Sequence, residues 1–404
     1  KIICYSQITF KNDPQKGKFR PDGLIELHRG KRIWRAIVES KIGRGVLEAE
    51  QIQAYINIAK VNNIDAIITI SNQFASLPTH HPVKINGRLP KNITLYHWSW
   101  AHILTTMILE LTEEEYDPEQ QYLLEELIRY FEHSDTGVER FTQMNSEWKD
   151  LITQVQIGAD LNDKANQLSN TVASWHQETR DLSLHLTEKL KKKIRLRLPP
   201  KHITNREQRL KDDINLLKKN SYLKCSLVVP DAADDINIIV DIKAKLIYIS
   251  MDINAPQDKK TAKARVNWLL RQLRTTKADD IMICALWPKR SKMDSEELGK
   301  LRDNLDLLNP PASNLAPRKF SIKFIHHMGS KFSGRRKFVE TIEELVPYFY
   351  HEVGQHLRAW VPSPPKSPPV TQEKTPKIET TETRKNLQTQ QAGSVPFPTD
   401  SVED

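Results

Sequence analysis

Apolar and polar positions in the first 110 residues change period several times, and each change marks an element. A short apolar run at 23–28 follows a Pro-Asp turn, and Arg29-Gly30-Lys31 supplies a tight polar turn before a β-rich run at 33–41. Residues 46–62 switch to helical spacing, and 64–71 form a continuous β-branched run that fits a strand buried on both faces. The order strand, strand, helix, strand predicts a hairpin followed by a helical crossover to a parallel strand, hence an α/β arrangement with a mixed sheet.

Beyond residue 110 the strand signals fade. Helical patterns cover 120–133 and 159–193, the second with a narrow stripe of Leu161, Leu168, Val172, Trp175, Leu182, Leu186 and Leu190. Such a stripe is typical of a coiled coil or of a helix packed along a domain, and Pro199-Pro200 ends it. We read 111–203 as a helical or coiled connector through which the chain could associate with itself or with a protein partner. A second α/β pattern fills 204–361, with strand-like runs at 223–229, 236–242, 246–253, 281–287 and 320–326. Helical patterns lie at 260–274, 295–308 and 336–356, the last interrupted by Pro347. Residues 362–404, rich in Pro, Thr, Gln, Ser and Lys with almost no apolar run, read as a disordered tail.

The 404 residues allow two or three domains, and the net charge of +9 changes the picture of what they meet. The tail carries five basic and six acidic residues, so the rest of the chain holds about +10. A basic surface favours a polyanionic partner, nucleic acid ahead of an acidic membrane surface, with solubility alone as the competing explanation. Three cysteines (Cys4, Cys225 and Cys284) without CxxC spacing support neither a disulfide framework nor a zinc site, which favours a cytoplasmic location. No run approaches the ~18 apolar residues of a membrane span, and no signal peptide is visible. Because the chain starts at Lys1 without Met, residues are expected to be missing upstream.

Candidate chemistry concentrates between Pro21 and Tyr55. Asp22 follows the first turn, and Glu39 and Lys41 stand two apart on a strand and so share a face. Gln51 and Tyr55 share a face of the following helix. Phosphodiester hydrolysis brings an anionic nucleophile to an anionic phosphate, and a divalent ion held by carboxylates neutralises that charge and acidifies a water. Asp22 and Glu39 with the backbone carbonyl of Ser40 form a candidate ligand set for Mg²⁺, and Lys41 is placed to orient the attacking water or to stabilise developing negative charge. Arg20 and Arg44, the latter between Gly43 and Gly45, are candidate phosphate contacts.

Other clusters are weaker. Pro230-Asp231 with Asp241-Ile242-Lys243 repeats the acidic pattern, but at an expected hairpin turn and with no comparable helix after it. Lys259, Lys260 and Lys263 begin a basic helix that could follow a phosphate backbone, and Arg335 and Arg336 close a basic loop before a helix. The adjacent pairs His80-His81 and His326-His327 would point to opposite faces of a strand, which suits loop or core histidines better than a metal pair.

Pro21-Asp22 and Glu39-Ser40-Lys41 resemble the two acidic motifs of the PD-(D/E)XK nuclease superfamily. Gln51-Ile52-Gln53-Ala54-Tyr55 is similar to the QxxxY motif of its RecB-like branch. The resemblance covers about residues 15–75. It implies a restriction-endonuclease-like core in 1–110, Mg²⁺ or Mn²⁺ as cofactor, DNA as substrate, and contacts of Gln51 and Tyr55 with the active site and DNA. Many members carry a glutamate on a helix upstream of the first motif, and 1–10 shows no such helix. With the second α/β domain appended for nucleic-acid or partner binding, the resemblance implies a prokaryotic restriction or anti-phage effector. Two rivals are a catalytically inactive DNA-binding or scaffold protein of a defence or repair complex, and a nuclease gated by a ligand or partner through its C-terminal domain.

Overall fold

Two β-sheets are laid down one after the other along the chain, each completed before the next begins. The computed structural model describes residues 1–14, 17–43, 45–73, 81–83, 85, 89–111, 117–161, 166–288, 293–308 and 315–362. Residues 363–404 of the expected tail, Arg44 and His80 therefore lie outside the described residues.

The first sheet contains β1 (Ile2–Ser6), β2 (Gly23–Arg29), β3 (Arg32–Ser40), β4 (Ala66–Ser71) and β5 (Thr94–Ser99), in that spatial order. β2 and β3 form an antiparallel hairpin with Arg29 opposite Arg32, and Gly30, at φ +58°, takes the left-handed turn that a side chain would disfavour. Helix α1 (Ala49–Val61) carries the chain across to β4, which runs parallel to β3 with Glu39 opposite Thr69. β4 is apolar because both of its faces are covered: Ala66, Ile67 and Ile68 are all buried. α1 buries Ile52, Tyr55, Ile56 and Ala59, which share one cluster with Ile37 and Ile67 of the sheet. Helix α2 (Trp100–Glu110) leaves β5 directly, capped by Ser99 Oγ, which accepts from the His102 amide at 3.1 Å.

Helices α3 (Pro118–Glu132), α4 (Trp148–Gln156) and α5 (Gln167–Leu190) follow. The stripe on α5 is not a free coiled-coil seam. Leu168, Val172, Trp175, Leu182 and Leu186 enter the same core as Trp148, Leu151 and the apolar face of the second sheet. The helix is buried beyond the stripe too, at Glu178, Thr179, Asp181 and Leu184, so little of it is left for self-association. After β6 (Arg195–Leu196), α6 (Pro200–Thr204) and α7 (Arg206–Asn220), the second sheet continues with β7 (Tyr222–Val228), β8 (Ile236–Asp241) and β9 (Leu246–Asn254). Then come α8 (Ala262–Gln272), β10 (Met282–Leu286), β11 (Asp294–Glu297), α9 (Leu298–Asp303), β12 (Lys319–His327) and α10 (Arg335–Phe349). Its seven strands lie in the order β11-β10-β12-β9-β8-β7-β6, antiparallel throughout.

The helix expected at 295–308 is instead an edge strand, a short helix and a 3₁₀ turn, since Asp294–Glu297 pair with β10. β1, β5 and α2 were not anticipated. The basic segment before α10 is a 3₁₀ turn at Gly329–Ser333, not an open loop. Lys1–Pro362 form one compact unit, and among the described residues no helix is long and apolar enough to cross a membrane.

Candidate functional site

The C-terminal end of β3 and the start of α1 meet at a buried carboxylate. Glu39 is 2% exposed, and both its oxygens are engaged. Oε1 accepts from Lys41 Nζ at 2.5 Å and from Gln51 Nε2 at 2.8 Å, while Oε2 accepts from the Tyr55 hydroxyl at 2.7 Å. Gln51 Nε2 also donates to the Tyr55 oxygen at 3.0 Å, and the Arg20 carbonyl lies 3.2 Å from that hydroxyl. Strand period puts Glu39 and Lys41 on one face, and helical period turns Gln51 and Tyr55 toward them. Burial, followed by the Glu39 carboxylate, pushes the Tyr55 phenol far above its ordinary range, so it stays protonated and serves as a donor.

Asp22 immediately precedes Gly23, which pairs with Val38, so it stands across from Glu39. Its Oδ2 accepts from the Ser40 amide at 2.7 Å and the Ser40 hydroxyl at 3.0 Å. Among the described residues Oδ1 has no hydrogen-bond partner. Lys41 is 28% exposed, so its ammonium is paired on one side and open to solvent on the other.

Among the described residues no group of three or more His, Cys, Asp or Glu side chains is gathered as a metal cage. Each carboxylate oxygen offers about two lone pairs. Glu39 therefore keeps one free direction, on Oε2, and Asp22 keeps Oδ1. Two carboxylates and the Ser40 carbonyl are hard oxygen donors in the number with which Mg²⁺ is usually held beside waters and phosphate oxygens. The residues present fit such an ion and do not fit a dedicated all-protein cage.

Further residues brace this corner, and of these only His81 was noted from the sequence, as a loop or core histidine. Trp100, at the start of α2, donates its indole N–H to the Lys41 carbonyl at 2.8 Å. Beyond Lys41, the Gly43 amide donates to the Gly137 carbonyl at 3.0 Å, and Asn72 Nδ2 donates to Gly137 O at 2.6 Å and Gly43 O at 3.2 Å. The Glu139 amide closes the clasp on Asn72 Oδ1 at 3.0 Å. In register with Glu39 across the sheet stand Thr69 and His97, and His81 joins them. The Val83 amide donates to His81 Nδ1, Thr69 Oγ1 lies between His81 Nε2 at 2.8 Å and His97 Nδ1 at 2.9 Å, and His97 Nε2 reaches the Gln73 carbonyl at 2.6 Å. Burial lowers both imidazoles to about 4, so the row is neutral. No local motif announces these groups, because their partners are backbone atoms or lie on distant strands.

Among the described residues, the candidate nucleic-acid cations Lys259, Lys260, Lys263, Arg335 and Arg336 belong to segments beside the second sheet, while Arg20 reaches this corner through its carbonyl. Arg20 donates from Nε to the Gln7 carbonyl at 2.8 Å. Lys263 pairs with Asp306 at 3.1 Å, and Lys259 lies 3.9 Å from Asp258. Arg335 is drawn into packing, its Nε donating to the Met144 carbonyl at 2.6 Å, while Arg336 pairs with Glu340 at 2.8 Å on the surface. Lys260 has no side-chain partner among the described residues. The second acidic pattern is a turn: Asp241 Oδ1 accepts from the Ala244 amide at 2.8 Å.

No family model, no curated protein and no solved structure matches this chain.

Proposed function

We propose that this protein is a metal-dependent nuclease that hydrolyses DNA phosphodiester bonds, with Asp22, Glu39 and Lys41 as its catalytic centre. The observation that carries the reading is the convergence of Lys41, Gln51 and Tyr55 on Glu39, with Asp22 across the hairpin. The resemblance of these residues to the PD-(D/E)XK motifs supports it, as does the placement of an antiparallel hairpin, a crossover helix and a parallel strand around them.

Mg²⁺ or Mn²⁺ held by Asp22, Glu39 and the Ser40 carbonyl would neutralise phosphate charge and acidify a water. Gln51 and Tyr55 fix the Glu39 carboxylate by three donors' worth of geometry shared with Lys41, so it does not reorganise as charge develops. The exposed side of the Lys41 ammonium orients the attacking water and stabilises the added negative charge on the phosphate. The basic balance of the chain draws the polyanion in. A role as a restriction or anti-phage effector in the cytoplasm fits this activity.

Plasmid cleavage by the purified protein with Mg²⁺ or Mn²⁺ tests the reading. Asp22→Ala, Glu39→Ala and Lys41→Ala are each expected to abolish cutting while DNA binding largely persists. Unchanged cleavage by Lys41→Ala would overturn the assignment, and binding without cutting under any metal would make the protein a scaffold.

A further inference from the structure

A cavity lies away from Glu39, on the second sheet. It measures about 920 Å³, within the ~300–1,000 Å³ of small-molecule sites. Its wall brings together Lys260 just before α8, Arg265 on α8, Arg318 and Lys319 at the start of β12, and the indoles of Trp287 and Trp360. No aspartate or glutamate lines it among the described residues.

Two of the four cations are committed to the fold. Arg265 donates from Nε to the Lys259 carbonyl and from a terminal nitrogen to the Pro317 carbonyl, both at 2.7 Å, and Lys319 pairs with Asp252 at 2.7 Å. Lys260 and Arg318 are exposed, and neither side chain has a partner among the described residues. Trp287 is 6% exposed, and its N–H donates to Asp294 at 2.9 Å, which fixes the plane of its ring. Three cations without a carboxylate partner, Lys260, Arg265 and Arg318, repel one another around this concavity, and an anion relieves that repulsion. Indole faces favour flat, π-bearing groups, and guanidinium favours phosphate oxygens through paired donors.

We propose that this cavity binds a nucleoside phosphate, with the base against the indoles and the phosphate on Lys260 and Arg318. The ligand is either a free nucleotide or the end of a nucleic-acid strand, since both present the same chemistry. The inference stands apart from the nuclease reading, because neither Asp22 nor Glu39 borders the cavity.

Calorimetric titration of the full chain tests it, using AMP, ATP, a cyclic dinucleotide, a short single-stranded oligonucleotide, and adenosine and inorganic phosphate separately. Saturable binding is expected for a nucleotide or the oligonucleotide, at least tenfold weaker in Arg318→Glu, Lys260→Glu and Trp360→Ala, with Arg318→Lys retaining most of it. Binding of the mononucleotides identifies a free nucleotide as the ligand, and binding of the oligonucleotide alone identifies a strand end. Binding is read without divalent metal and without cleavage, so failure here is distinguishable from failure of the cleavage test. No binding by any nucleotide or oligonucleotide at millimolar concentration, equal affinity in folded Arg318→Glu and Trp360→Ala, or phosphate binding as tightly as nucleotide would each overturn the proposal.

Discussion

Tyr55 illustrates how one side chain serves core packing and the hydrogen bonding of Glu39 together. Its ring is fully buried in the core of the first sheet, and its hydroxyl donates to Glu39. Tyr55→Phe keeps the packing and deletes the donor, leaving a buried carboxylate oxygen unmatched. A loss of about 1–3 kcal/mol is expected from urea unfolding, with slower cleavage in the plasmid assay. Glu39 with Lys41, and Gln51 with Tyr55, were legible in the sequence because strand and helix periods put each pair on one face, and the resemblance to the nuclease motifs linked the two pairs. Trp100 was not, because its bond runs to the main chain of Lys41, fifty-nine residues away, and a carbonyl leaves no signature in residue type.

Among the elements, the turn after β3 depends on Gly137. At φ +68° it adopts a left-handed backbone, and a Cβ there would lie 2.9 Å from Ile42 Cγ2 and 3.0 Å from the Gly43 nitrogen. Gly137→Ala is expected to cost at least about 1–2 kcal/mol in thermal unfolding and to reduce cleavage by displacing Lys41. α5 shows the limit of reading by period. Its apolar stripe was visible, but the period marks nothing about its polar positions, and Glu178 and Asp181 are fully buried. Burial raises Asp181 from 3.8 to about 7, and Glu178 and Glu343 are raised as well, chiefly by burial. Between about pH 4 and 7 the folded chain holds a proton on Asp181 that the unfolded chain has lost, so this contribution to stability is present at low pH and disappears as pH rises through 7. The melting temperature should therefore fall across that window, and Asp181→Asn should flatten the slope.

Across the whole molecule, the two sheets are joined by α2 lying on α5. Ala101, Leu184 and Phe141 form an apolar contact there, and Arg180 donates to His102 Nδ1 at 3.0 Å. The second sheet's core therefore supports the first. A single unfolding transition is expected for Lys1–Pro362 in calorimetry, and Leu184→Ala should lower it as a whole by about 2–5 kcal/mol. The α/β character and the two sheets were legible from the runs of apolar residues. The interlocking was not, because α2 and α5 meet through small patches on helices that are more than fifty residues apart.

The Gly43–Asn72–Gly137 clasp bears on how the chain can be dissected. A fragment ending at residue 110 would retain Asp22, Glu39, Lys41, Gln51 and Tyr55, yet would lose the strap that holds the exit of Lys41 in place. Adding residues 117–161 in trans should restore more order around that exit than any change within the motif residues, because the missing restraint is supplied by a later stretch of chain.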